Sequence, residues 1–137
     1  MEDAKRIDEI NDLMTIFLDN LVEIAKIHTT FKDKLGECHE YTKLANSLVS
    51  IFNQYQSFYV YIKDPEDFAN KLNEVSKTAL NILSFKPYEM LEGSMIKRKK
   101  QLKEDKPKRE ELVKKLSEEI DLINQIIDKN LEERKNA

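Results

Sequence analysis

"FKDKLGECHEY", residues 31–41, is the stretch whose reading decides the fold. Gly36 is the single glycine or proline between residues 4 and 64, so a helix either runs through it or stops there. Stepping outward by threes and fours from Ile7 gives Ile7, Ile10, Met14, Phe17, Leu21, Ile24, His28, Phe31, Leu35, Cys38, Thr42, Ala45, Val49, Phe52, Gln56 and Tyr59. Thirteen of these sixteen are apolar, a heptad seam that keeps its phase across Gly36. A loop would be free to reset that phase, so the pattern predicts one helix over about 4–62. A second seam runs beside it through Tyr41, Leu44, Leu48, Ile51, Tyr55, Phe58 and Ile62, giving an apolar face wide enough for more than one partner helix.

Beyond that stretch the turn signals are few. "KDPEDF" offers Asp64 as a cap, Pro65 at a first helical position, and Glu66 and Asp67 at the positive helix end. The second predicted helix, about 65–104, carries Phe68, Leu72, Val75, Ala79, Ile82 and Leu83 inward. Pro87 lacks the N–H of the helix ladder and predicts a kink near 84–86, after which Tyr88, Leu91, Met95, Ile96 and Leu102 resume the pattern. "KEDKPKREE" then reads as a turn, with Asp105 as cap and Pro107 in the first turn of a third helix, about 107–135. That helix shows Val113, Leu116, Ile120, Ile123, Ile127 and Leu131.

Composition agrees with long helices rather than sheets. The 137 residues hold two glycines, three prolines and no tryptophan, with 40% hydrophobic and 36% charged side chains. Such a length predicts one all-α domain, a long three-helix antiparallel bundle or coiled coil. Because the first helix would carry more seam than two shorter ones can cover, the pattern also predicts a dimer. A stable, compact monomer would favour instead a four-helix bundle broken at Gly36. The dimer-and-core seam is assigned to Phe31, Leu35, Leu44, Leu48, Val49, Ile51, Phe52 and Tyr55. One cysteine cannot form an internal disulfide, the start "MEDAKRIDE" is too charged for a signal peptide, and no apolar run approaches the ~20 residues that span a bilayer. A soluble, intracellular protein is expected.

Charge is unevenly spread. "KRKKQLKEDKPKR", residues 97–109, sets eight basic side chains against two acidic ones. That is +6 within a chain of −3, so the remainder carries −9. A solvated turn between helices is the plain reading of such a run. Nucleic-acid binding would need stacking groups among the basic ones, and no aromatic follows Tyr88. An anionic membrane surface would suit a cluster at a helix–helix tip, each basic residue near the headgroups contributing ~1 kcal/mol. Lys97, Arg98, Lys99, Lys100, Lys103, Lys106, Lys108 and Arg109 are the candidate membrane-binding residues.

No phosphate loop, CxxC, HExxH or GxSxG occurs. "ECHE" pairs Cys38 with His39, but a metal site needs three or four converging ligands. Cys38 therefore reads as a small core residue and His28 as a partly buried polar mark on the seam. No enzyme activity, metal or cofactor is expected.

The segment "YEMLEGSMIKRKKQL", Tyr88 to Leu102, resembles the second helix of sorting nexin BAR domains, in the branch used in endosomal recycling and autophagy. Tyr88, Met90, Leu91, Gly93, Met95, Lys97, Arg98 and Gln101 carry the likeness. The downstream "REELVKKLSEEIDLINQIIDKNLEERK" is similar to the family's third helix, and residues 13–48 are similar in pattern to its first. The resemblance implies a crescent-shaped, BAR-like dimer whose basic arm tips meet curved, anionic membranes. It further implies a homodimer or a pairing with a related BAR-like protein, no nucleic acid, and a cytoplasmic, peripheral place on endosomal membranes. The alternative is a helical scaffold that binds protein partners through its apolar seams with no membrane role.

Overall fold

The computed structural model describes residues 2–58 and 61–135. The chain is all-helical, and among the described residues no strand occurs. Four α-helices follow one another: α1 (Glu2–Leu35), α2 (Glu40–Gln56), α3 (Pro65–Leu83) and α4 (Met95–Lys135). The three predicted helices therefore have to be redrawn at three places.

The first correction is at Gly36. The helix expected over 4–62 is a hairpin of α1 and α2. Gly36 takes φ +85°, a backbone that costs a side-chain-bearing residue dearly, and its N–H closes on the Lys32 carbonyl at 3.0 Å. His39 then opens α2, its Nδ1 accepting the Tyr41 N–H at 3.3 Å. The seam keeps its phase because both arms of the hairpin face one core. Ile10, Met14, Phe17, Leu21, Ile24 and Phe31 of α1 are buried, as are Tyr41, Ala45, Leu48, Phe52 and Tyr55 of α2. Leu35, Leu44, Val49 and Ile51 pack against the same core, half-buried. From Ile10 to Phe52 the apolar seam is thus covered within one chain, Cys38 apart, which removes the reason for expecting a dimer through it. Ile7, at its start, stays 56% exposed. Cys38 is exposed in the turn, not a core residue. Tyr59, at the seam's end, lies outside the described residues.

At Pro87 the expected kink is a full break. α3 stops at Leu83, a single 3₁₀ turn spans Tyr88–Met90, and α4 begins only at Met95. Pro87 is buried in extended backbone (ψ 164°), the conformation that ends a helix rather than bending it. At Pro107 the expected turn is absent, and α4 runs through it without interruption. Pro107 faces solvent, where water can satisfy the carbonyl its missing N–H leaves free. The sequence around it is rich in strong helix formers.

The start of α3 follows the turn chemistry. Asp64 caps it by accepting the Asp67 N–H at 3.3 Å, Pro65 opens it, and Glu66 and Asp67 occupy the first turn. Chain direction alternates from helix to helix. α1 packs on α2 and α3, α4 packs on α3 and touches α2, so α1 and α4 stand at diagonal corners. Phe17, Phe52, Phe68, Leu72, Ile82 and Ile123 are fully buried, with Phe17 edge-on to Phe52 at 5.9 Å. Polar cross-links fix the register. Asn73 Nδ2 donates to the Leu13 carbonyl and Asn20 Nδ2 to Ser76 Oγ, both at 2.9 Å, tying α1 to α3. The Tyr55 hydroxyl donates to Asn124 Oδ1 at 3.1 Å, and Thr78 Oγ1 to Glu119 Oε1 at 2.9 Å, tying α4 to both neighbours.

Candidate functional site

The basic run occupies the first third of α4. Gly93 at φ +103° turns the chain, and Ser94 caps the helix, its Oγ accepting the Lys97 N–H at 3.3 Å. Arg109 sits beside Glu40 and Tyr41 at the very start of α2. Residues 95–108 therefore continue past the end of the α1–α2 hairpin. At 1.5 Å per residue they form an arm of ~20 Å. The cluster is a helical arm and not an interhelical tip.

Within the arm the eight basic residues divide by direction. Counting back along the inner face of α4 from Ile127 gives Ile123, Ile120, Leu116, Leu112, Arg109, Asp105, Leu102 and Arg98, every one buried or half-buried. The two arginines thus belong to the packed side. Arg109 lies over the Tyr41 ring at 4.4 Å and pairs with Glu40 at 3.6 Å. Arg98 lies over the Tyr88 ring at 5.5 Å. The Nε atoms of both arginines are buried with no hydrogen-bond partner, so the ring faces hold them. Burial in this cluster pushes the Tyr41 phenol above its ordinary range. Arg98 and Arg109 are accordingly anchors of the arm, leaving Lys97, Lys99, Lys100, Lys103, Lys106 and Lys108 exposed. Among the described residues none of these six lysines lies within ion-pair distance of a carboxylate.

Sequence reasoning placed Met95 and Ile96 on the inner side of a helix. They are 60% and 82% exposed at the arm's free end. The inner-face count from Leu102 reaches Arg98 and never Ile96, a signal present in the sequence once α4 is taken as continuous through Pro107. Val113 and Leu131, also expected inward, are 43% and 45% exposed at the edge of the packed side, where they line shallow grooves with Leu44 and with Phe58 and Ile62. Ile96, Lys99, Lys103 and Lys106 fall at spacings of three and four, which puts them on one outward row.

A crevice of about 570 Å³ separates the arm from the connector 84–94, lined by Phe85, Leu91, Glu92, Lys97, Lys100 and Glu104. Its walls mix both charges and no group of them converges on one point. Among the described residues no three His, Cys, Asp or Glu side chains come together as metal ligands. No described helix is long and apolar enough to cross a membrane. No family model, curated protein or solved structure matches the chain. The stretch that carries the likeness to sorting nexin BAR domains, Tyr88 to Gln101, is divided here between the 3₁₀ turn and the start of α4.

Proposed function

We propose that the protein is a peripheral binder of anionic membrane surfaces, acting through the arm of α4. The observation that carries this reading is the arm's outward row, in which unpaired lysines adjoin the 82% exposed Ile96. Each lysine close to charged headgroups contributes about 1 kcal/mol, and the effect fades within a Debye length. An isoleucine and a methionine at the same end add apolar contact at the headgroup boundary, as interfacial helices do. The arginines, held on tyrosine rings, keep the arm stiff and aimed. The remainder of the chain is acidic, which restricts approach to this one end.

A role on endosomal membranes, as the BAR-like pattern implied, is the narrower form of the same proposal. Co-sedimentation with vesicles tests it. The protein should pellet with vesicles rich in phosphatidylserine, stay in solution with neutral ones, and be released by added salt. The variant Lys99→Glu/Lys100→Glu/Lys103→Glu should lose pelleting while keeping its helicity. Equal pelleting by that variant would point instead to a scaffold that meets proteins through its exposed apolar side chains.

A further inference from the structure

The outer side of α1 is a second unpartnered helix face among the described residues. On α1, Ile16 and Val22 are 45% and 52% exposed at the two edges of this outer face, with the core on the opposite side of the same helix. On that face stand Asp8, Glu9, Asp12, Asp19 and Glu23, and no basic residue occurs from 8 to 23. This face is apolar and acidic where the arm is apolar and basic. It runs ~24 Å, long enough to lie alongside the ~20 Å arm.

We infer that the α4 arm of one copy docks on the outer α1 face of a second copy, so that the protein associates head to tail. Charge complementarity supplies the pairing: the Ile96–Lys99–Lys103–Lys106 row meets Asp12, Ile16 and Asp19, which are likewise spaced by fours and threes. Like faces repel, since arm against arm or α1 against α1 sets equal charges together. The position of the two faces decides the symmetry. α1 and α4 stand at diagonal corners, so their outward sides point away from each other and one partner cannot engage both. The contact is therefore heterologous, and it continues from copy to copy unless a ring closes it. Two helices side by side bury less than the ~1,200 Å² typical of stable complexes, so the association is weak and salt-sensitive. The inference does not depend on the membrane reading, and it is tested without lipid.

Sedimentation velocity at low salt should show the wild type growing beyond a dimer as concentration rises, and reverting to monomer at high salt. Two variants sharpen this. Asp12→Lys/Asp19→Lys makes the α1 face basic, and Lys99→Glu/Lys103→Glu/Lys106→Glu makes the arm acidic. Every changed residue is exposed, and circular dichroism checks that each variant keeps its helices. Each alone should stay monomeric, having two like-charged faces. In a mixture, the native basic arm of the first meets the native acidic face of the second, and the acidic arm of the second meets the basic face of the first, so the two should associate again in alternation. As a milder set, Asp12→Asn/Asp19→Asn should weaken wild-type growth without abolishing the fold. The inference fails if the wild type is monomeric throughout, if growth stops at a dimer, if either variant associates as the wild type does, or if the mixture does not pair.

Discussion

The body of the bundle and the arm of α4 are built on opposite terms. In the body, Phe17, Phe52, Phe68 and Leu72 are wholly buried and four side-chain hydrogen bonds lock helix to helix. In residues 95–108 no side chain is buried: Leu102, Arg98 and Asp105 are half-covered, and Ile96 is 82% exposed. The body concentrates the interactions that stabilise the fold, so changes there should alter stability. The arm is a helix that continues after the core has ended, held by two arginines on tyrosine rings, and it collects uncompensated charge. Charge changes at its exposed lysines should alter binding and leave stability nearly untouched.

The strongest way to break the body is Phe52→Ala. It removes a fully buried ring from the contact with Phe17 and should cost ~3–5 kcal/mol in denaturant unfolding. At the base of the arm, Pro107→Ala should do the reverse. An exposed proline within a helix is ~3 kcal/mol worse than alanine, and the looser unfolded chain returns roughly 1 of that. A net gain of about 2 kcal/mol, with no loss of helicity, is expected. A loss of stability would mean that a turn stands there. Gly36→Ala should cost ~1 kcal/mol through φ +85° alone, because nothing lies within 4 Å of the added carbon.

The smallest effect concerns pH. Burial raises the Tyr41 and Tyr55 phenols above the ordinary value of 10.0. A raised folded value means a contribution fully present below the unfolded phenol's range and lost as pH climbs through the folded one. Tyr41→Phe should therefore flatten the fall in melting temperature above pH ~10. An alkaline limb as steep as that of the wild type would show that the Tyr41 cluster is not sealed from solvent.

The same comparison shows what could be read from residues alone. Core membership was legible: the seam through Ile10, Met14, Phe17, Leu48 and Phe52 is the core observed. The Asp64–Pro65 helix start was legible as well, because its capping is chemistry local to six residues. Connectivity was not. Phase carried across Gly36 suggested one helix, yet two helices facing one core keep that phase just as well. Phase also carried across Pro107, through Arg98, Leu102, Arg109, Leu112 and Leu116, and there the helix is real. What separates the two is backbone detail: a glycine at positive φ ends a helix, whereas a proline on the solvent side is tolerated. The division of the basic run into two anchoring arginines and six free lysines depends on that choice, so it was hidden with it.

The contrast between arm and body is tested most directly by moving the same charge change between them. Lys99→Glu/Lys100→Glu/Lys103→Glu alters the arm, and Lys77→Glu/Lys114→Glu/Lys129→Glu makes an equal change at exposed sites on the body. Both variants have the same net charge, and both should unfold within ~0.5 kcal/mol of the wild type. Co-sedimentation with anionic vesicles should be abolished by the arm variant and retained by the body variant. Equal loss in both would show that net charge alone governs binding, and binding retained by the arm variant would contradict a membrane role for α4.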